Sequence, residues 1–332
     1  MILLSFIIYT KKILLISFSY LPSGIKILFY RFMGARIGKN VELGLGSYII
    51  PYFSGLKNIS IGNNVLIGDH VHIRTRNLRI GDDCEIKDNS LIWGQSDFSA
   101  GTGVYIDQEC HFDLRRTITL GNDVIISGGC WFYTHMVYHS VLKGSPSKFG
   151  SISIQDRTYV GANVFVLPGI TIGNDVIIGA RSVVTKNVQS DSVVVGDPAK
   201  EIDKTSLRTR TVTFEDKIVI VKDILEDFMQ IFREKILLIK EWDSNELIFT
   251  ASNQVIFYLP RSERFPDAYE KIKEFKKPVT LISFSLPKEI IDKCDTSAIS
   301  WFDLASGTKS SRMHTIDHAL MRFFGGYGIK IT

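Results

Sequence analysis

The chain has 332 residues, of which 45% are hydrophobic and 22% charged, and its formal net charge is +4. This length is sufficient for two domains, and so mild a positive charge gives no reason to expect nucleic-acid binding. The four cysteines include no CxxC pair, which argues against a cysteine metal or redox motif and favours a reducing, cytoplasmic setting.

Residues 1–33 are predicted to form an apolar, basic helical segment. Lys11 and Lys12 interrupt the run of Leu, Ile and Phe, and neither uncharged stretch, 1–10 or 13–25, reaches the about 20 residues of a membrane-spanning helix. A signal peptide is not expected, because its positive charge would precede the apolar core. Two compatible interpretations remain: a cap over the end of the next domain, and a peripheral segment on the inner face of the membrane.

Apolar residues then recur at intervals of six, most regularly at Ile154, Val160, Val166, Ile172, Ile178 and Val184. Period six fits neither a helix nor a single strand but is typical of short stacked strands in a solenoid. Asn163 and Asp175, which tolerate left-handed backbone, stand between these residues where corners are needed. The pattern covers roughly 37–190, with expected loops near 51–59, 94–104 and 135–153. Residues 34–203 are therefore predicted to form a mainly β domain, a parallel β-helix.

Residues 204–332 lack the repeat and are predicted to form a small α/β accessory domain, because strand and helix patterns alternate there. The expected elements are a strand at Thr211–Val221 that runs into an amphipathic helix with Ile224, Leu225, Phe228, Ile231 and Phe232 at helical spacing, strands at Glu246–Thr250, Gln254–Leu259 and Val279–Phe284, and helices at Asp267–Phe275 and Met313–Phe324.

Three of the seven histidines, His111, His135 and His139, lie around the longest predicted loop. His135 directly follows a repeat, so the rigid stack would hold it while the loop closes over a substrate. A neutral imidazole with an ordinary pKa of about 6.5 is suited to take a proton from an alcohol that attacks a carbonyl. His135 is therefore the candidate general base.

The second half of the repeat, Ser153–Ile202, resembles the hexapeptide-repeat acetyltransferases, and most of all those that acetylate sugars and polysaccharides. The resemblance rests on Thr134-His135 and on the segments 160–164, 167–173, 178–180, 183–188 and 196–202. It implies a left-handed β-helix, acetyl-CoA as co-substrate and a homotrimer with active sites between subunits. It also implies an O-acetyltransferase acting on a sugar hydroxyl of a surface polysaccharide or of its lipid-linked precursor.

The same resemblance implies roles for individual residues. His135 matches the family's catalytic base. Asp107 lies near a position that contacts the acceptor, Asp113 competes for that role, and either carboxylate could orient the imidazole. His111 and His139 are candidate acceptor-binding residues. The positions that match the family's CoA-binding wall are Tyr159, Gly161, Ala162, Gly179, Ala180, Thr185, Lys186 and Lys200.

Two other functions remain open on the same coil. One is a metal-dependent hydratase of the carbonic anhydrase type, for which His111, His135 and His139 could be nominated as zinc ligands. The other is a non-catalytic trimeric scaffold that presents the C-terminal domain. The CoA-side motifs favour the transferase, for which no metal is expected.

Overall fold

The computed structural model describes residues 17–52, 55–137, 139–203, 212–231 and most of 236–324. The chain divides into two compact units, Met1–Arg208 and Thr209–Thr332. Each unit has its own hydrophobic core.

In the first unit each coil gives one short strand to each of three sheets, here called faces 1, 2 and 3. Face 1 contains Arg36–Ile37, Ile59–Ile61, Leu78–Ile80, Phe98–Ala100, Ile118–Leu120, Ile152–Ile154 and Thr171–Ile172. Face 2 contains Glu42–Leu43, Leu66–Ile67, Glu85–Ile86, Tyr105–Ile106, Ile125–Ile126, Tyr159–Val160, Ile177–Ile178, Val193–Val195 and Lys200–Ile202. Face 3 contains Tyr48–Pro51, His72–Thr75, Leu91–Gly94, His111–Leu114, Trp131–Tyr133, Phe165–Val166 and Val183–Val184.

The pairing within these faces is parallel, except for the last pair of face 2, and apolar partners stack exactly one coil apart. On face 2, Ile126 pairs with Val160 and Val160 with Ile178, and all three side chains are buried. Asn163 and Asp175 adopt φ values of 58° and 56° at corners. The mainly β, parallel architecture predicted from the six-residue period is therefore confirmed.

One expected interruption is wrong. The sequence predicts a loop over 94–104, yet Phe98–Ala100 is a strand of face 1 that pairs with Leu78–Ile80 and Ile118–Leu120. Phe98 fills the inward position that Ile or Leu fills in neighbouring coils, and it is only 1% exposed. The longest loop, in contrast, does leave the coil, as an antiparallel hairpin of His135–Val137 and Ser147–Phe149 around a short 3₁₀ turn at Val141–Lys143.

Helix α1, Ser23–Phe32, lies against the first coil. Its Ile27 and Tyr30 join the solenoid core, and the Tyr30 hydroxyl accepts a hydrogen bond from the Ile49 N–H at 2.9 Å. Its Lys26 is fully buried and donates to the carbonyls of Gly44, Ser19 and Ser47 at 2.5, 3.0 and 3.4 Å. The helix therefore packs against the first coil, and its buried lysine donates to the Gly44 and Ser47 carbonyls there.

Replacing Lys26 with methionine is expected to lower the free energy of unfolding by about 1–3 kcal/mol. Methionine fills a similar volume but removes the Nζ donor from all three carbonyls; those of Ser19 and Gly44 keep only the backbone N–H of Gly46 and Ser47, and the buried Ser47 carbonyl loses its donor. Thermal unfolding followed by circular dichroism measures the change. Lys39→Met removes an exposed lysine from the first coil and is the matched control; equal melting temperatures for the two variants would contradict the stabilising role of Lys26.

Within the described residues no helix is both long enough and apolar enough to cross a membrane.

The second unit has a six-stranded sheet whose strands lie in chain order. Its elements are α2 at Phe214–Ile231, strands Ile236–Asp243, Glu246–Ala251 and Gln254–Arg261, α3 at Phe265–Lys273, strand Val279–Phe284, α4 at Lys288–Thr296, and strands Ser300–Asp303 and Thr308–Lys309. The third, fourth and fifth strands pair in parallel, and the other pairs are antiparallel.

The strand expected to run from Thr211 through Val221 is wrong over the described part, because α2 begins at Phe214. The Thr213 hydroxyl accepts from the Asp216 N–H at 3.1 Å, and the Thr213 N–H donates to the Asp216 carboxylate at 2.9 Å. This reciprocal cap starts a helix even though its first turns carry β-branched residues. The helix expected at Met313–Phe324 lies largely outside the described residues, as does Thr211 itself.

Candidate active site

The hairpin leaves face 3 at Thr134, which is fully buried and anchors the exit. The Thr134 hydroxyl donates to the Asp113 carbonyl at 2.7 Å and accepts from the Arg116 N–H at 2.9 Å. The next residue, His135, pairs with Phe149 on the returning strand, and their rings lie 6.1 Å apart. The base of the hairpin is thus fixed to the coil on one side and to its own second strand on the other.

His135 and Asp113 form a hydrogen-bonded pair. The Nδ1 atom of His135 lies 2.8 Å from Oδ1 of Asp113, and both side chains are about one-third exposed, at 32% and 33%. An ionised carboxylate can only accept, so the proton of a neutral imidazole belongs on Nδ1 and leaves Nε2 as an acceptor. The pair therefore offers an oriented base at the surface of face 3.

His111 lies on the same strand as Asp113, two residues earlier, and so shares its outward side. Its ring centroid is 4.1 Å from that of Trp131 in the next coil. Burial lowers the pKa of His111, and the nearby Asp113 only partly opposes that shift. His111 is therefore a largely neutral, aromatic-packed neighbour of the pair. His139 is exposed beyond the first hairpin strand.

The structure does not bring Asp107 to His135. Asp107 follows the face 2 strand Tyr105–Ile106, and its carboxylate accepts from the Gln108 N–H at 2.9 Å and the Tyr105 hydroxyl at 3.4 Å. In a six-residue repeat, Asp107 and Asp113 occupy equivalent places on successive faces, so the width of face 3 separates them. Of the two candidates, Asp113 alone contacts the histidine within this chain.

Four of the predicted CoA-wall residues stack at the corner between faces 2 and 3. The Gly161 N–H donates to the Ile178 carbonyl, and the Arg181 N–H donates to the Ala162 carbonyl, both at 2.8 Å, so that Gly161-Ala162 lies directly over Gly179-Ala180. A Cβ atom at position 161 would lie 2.6 Å from the Ala180 nitrogen. This corner therefore excludes larger side chains, and its surface consists of backbone and small side chains.

The other predicted CoA-wall residues lie elsewhere. Tyr159 is 43% exposed on face 2, and its hydroxyl accepts from the Ser127 hydroxyl at 3.1 Å. Thr185 and the exposed Lys186 follow the last strand of face 3, at the same edge as His135. Lys200 is exposed on the antiparallel last strand of face 2. Within one chain the Gly-Ala corner and His135 thus lie at opposite edges of face 3.

The zinc alternative finds no ligand set. In the part of the chain that the structure describes, no group of three or more His, Cys, Asp or Glu side chains is placed to hold a metal ion. His111, His135 and His139 in particular do not converge.

Part of the coil matches a known family model. Residues 151–186 match the model described as bacterial transferase hexapeptide (six repeats). This segment carries hexapeptide repeats of the kind that the model describes.

Two curated relatives match about a third of the chain. A Staphylococcus aureus (strain COL) protein named "Putative acetyltransferase SACOL2570" is 38% identical over 122 residues, which is 36% of this chain and 61% of that protein. The galactoside O-acetyltransferase of Escherichia coli (strain K12) is 29% identical over 127 residues, which is 36% of this chain and 63% of that enzyme. The chain thus spans somewhat over half the length of the relatives it matches.

Solved structures with similarity include AntD, an N-acyltransferase from Bacillus cereus, in complex with dTDP and 3-hydroxybutyryl-CoA. It is 21% identical, the similarity covers 64% of this chain and 98% of AntD, and the TM-score is 0.38. We draw no functional argument from a likeness of this size.

Proposed function

We propose that this hexapeptide-repeat protein is an O-acetyltransferase that moves the acetyl group of acetyl-CoA to a sugar hydroxyl. The observation that carries the proposal is the 2.8 Å pair of His135 and Asp113 at the exit of the hairpin. The pair supplies an oriented proton acceptor, and the Gly-Ala corner supplies a smooth wall for an extended thioester arm. The acetyltransferase names of the curated relatives agree with this chemistry.

In this proposal His135 Nε2 removes the proton of the acceptor hydroxyl as its oxygen attacks the carbonyl carbon of the thioester. The tetrahedral intermediate collapses by breaking the C–S bond, and the imidazolium returns its proton to the CoA sulfur. Asp113 stabilises the imidazolium between these steps. A backbone N–H of the coil would stabilise the oxyanion. No net proton, electron or metal is required.

The donor would be held by the residues of the Gly-Ala corner together with Tyr159 and the basic side chains. Ala162 and Ala180 leave room for the pantetheine arm, while Lys186 and Lys200 provide positive charge for the CoA phosphates. Because His135 and the Gly-Ala corner lie at opposite edges of face 3, we propose a homotrimer in which a neighbouring subunit completes each site. A three-faced prism is suited to cyclic assembly.

The test of this function is turnover of acetyl-CoA by the full-length protein against free and lipid-linked saccharides, with acetylated product identified by its mass increase. Calorimetric titration with acetyl-CoA alone is run in parallel. Binding of acetyl-CoA together with acetylation of at least one saccharide is expected. Absence of acetyl-CoA binding would overturn the transferase and favour a scaffold.

We propose further that α1 touches the inner face of the cytoplasmic membrane, where lipid-linked glycan precursors are presented. Leu28 and Phe32 on α1 are 66% and 88% exposed, and Ile25 is 50% exposed. Arg31 on α1 and Arg36 in the first strand of face 1 are also exposed, and the Arg31 guanidinium donates to the carbonyls of Ile37 and Gly38. Apolar side chains flanked by positive charge suit the surface of an anionic bilayer. The second unit, 209–332, would then be an accessory domain of the transferase.

The double replacement Leu28→Ser and Phe32→Ser is expected to weaken binding to vesicles at least tenfold. Each side chain loses the free energy of burial in the acyl region, and about 1.4 kcal/mol corresponds to a factor of ten. Co-sedimentation with vesicles containing phosphatidylglycerol measures the effect. Val219→Ser, at a 52% exposed position of α2, is the control, and equal binding by all three proteins would rule out the α1 contact.

A further inference from the structure

Face 3 carries an outward column of side chains that leads away from the histidine. Arg74, Trp93, Asp113 and Tyr133 pair with one another in successive coils. Because neighbouring strands lie about 4.8 Å apart, the Cα atoms of Arg74 and Asp113 are roughly 10 Å apart. A short oligosaccharide can span that distance, so a ligand whose hydroxyl reaches His135 can also reach Arg74.

Arg74 is held in a fixed orientation but is not neutralised. Its guanidinium carbon lies 4.3 Å from the centroid of the Tyr52 ring and 5.0 Å from that of Trp93. Its Nε atom is buried and has no hydrogen-bond partner among the described residues. A buried donor without an acceptor is unfavourable unless a ligand supplies one. Two π faces thus position a cation whose planar donors suit a carboxylate or a phosphate.

The neighbouring side chains extend this cation site toward His135. Gln95 donates to the Tyr52 hydroxyl at 3.2 Å and accepts from Arg115 at 3.4 Å, which links Tyr52 to the coil of Asp113. Arg115 is exposed, and Trp93 is 38% exposed. The Asp113 carboxylate is already engaged by His135. The surface between Arg74 and His135 therefore carries two guanidinium groups, one carboxylate that is hydrogen-bonded to His135, and an open indole face.

We propose that this strip, formed by Tyr52, Arg74, Trp93, Gln95 and Arg115, binds an anionic group of the acceptor. The acceptor is a saccharide that carries a carboxylate or a phosphate about two coils away from the hydroxyl to be acetylated. One of its sugar rings stacks its C–H face on Trp93, and its anionic group binds Arg74. This inference rests on the proposed function, since it assigns the acceptor class of the same site.

The experiment measures saccharide binding to the full-length protein without acetyl-CoA, through quenching of tryptophan fluorescence and ligand-observed NMR. The probes are tetragalacturonate, its neutral methyl ester, and uridine diphosphate N-acetylglucosamine. These probes separate a carboxylate source from a phosphate source. At least one anionic probe is expected to bind, and Arg74→Gln is expected to weaken that binding at least tenfold. Arg74→Lys keeps the charge but lacks the planar donors, so its affinity for the anionic probe is expected to lie between those of the unaltered protein and Arg74→Gln.

The matched control is Arg79→Gln, an exposed arginine on face 1 of the same coil, which is expected to bind the probe as the unaltered protein does. Melting temperatures of all variants verify that they fold. The proposal is overturned if neither anionic probe binds, if the methyl ester binds as tightly as the acid, or if the two Arg→Gln variants bind alike. It is also overturned if Trp93→Ser leaves probe binding intact, because no sugar ring would then stack on the indole.

These measurements distinguish failure of the anionic-acceptor proposal from failure of the proposed acetyl transfer. If acetyl-CoA binds in the calorimeter but Arg74→Gln has no effect on saccharide binding, only the proposal of an anionic acceptor is refuted. If acetyl-CoA does not bind but saccharide binding depends on Arg74, the proposed acetyl transfer is refuted and the saccharide-binding surface is retained.

Discussion

Replacing His135 with alanine is expected to lower kcat for acetyl transfer by about 10²–10⁴-fold, the range that a positioned general base contributes. The affinity for acetyl-CoA should stay nearly unchanged, because His135 is not among the residues proposed to hold the donor. Steady-state release of CoA measures turnover, and calorimetry measures acetyl-CoA binding. The combination separates loss of the base from loss of the donor site.

His70→Ala provides the comparison for this variant. His70 is exposed at a corner of the second coil, has a φ of 54°, and lies remote in the stack from the hairpin. Its removal should leave kcat unchanged. If the His135 variant turned over as fast as the unaltered protein, His135 would not be the base.

The substitution Asp113→Asn is expected to lower kcat by on the order of 10²-fold or more. The uncharged amide can neither fix the Nδ1–H tautomer of His135 nor stabilise its imidazolium. Asp113 acts through His135, so it is a positioning residue. The KM for acetyl-CoA should stay constant while kcat falls.

A purely structural role for Asp113 would lower the melting temperature and leave kcat of the folded variant unchanged. Glu109→Gln removes a carboxylate from an exposed position four residues away in the same coil and is the matched control. The positioning role would be refuted if the variants at 109 and 113 had the same kcat.

The solenoid could be predicted because apolar residues recur in the sequence at a constant spacing of six. Each rung needs an inward apolar side chain six residues after the last, and Ile154 to Val184 meet that rule without exception. The strand that contains Phe98 was not predicted, because an aromatic residue takes the inward position that aliphatic residues take in the neighbouring coils. The start of α2 was missed because a Thr213–Asp216 cap outweighed β-branched residues that suggested a strand.

The site could be predicted only in part. His135 stood out because it directly follows a repeat, but the choice between Asp107 and Asp113 depended on which face each carboxylate occupies. Phe149, opposite His135, had no local signal because a loop of irregular length separates the two strands. The column of Arg74, Trp93 and Asp113 was equally hidden, since coils of about 20 residues with differing lengths bring these side chains into register.

The hydrogen bond between His135 and Asp113 is most directly tested by ¹⁵N NMR of the imidazole rings, with His135→Ala used to assign the signal. At neutral pH the proposed general base should show a protonated Nδ1 and an unprotonated Nε2, and Asp113→Asn should abolish that preference. A His135 ring with its proton on Nε2, or one whose tautomers do not respond to Asp113→Asn, would contradict the assignment of this pair as the oriented base.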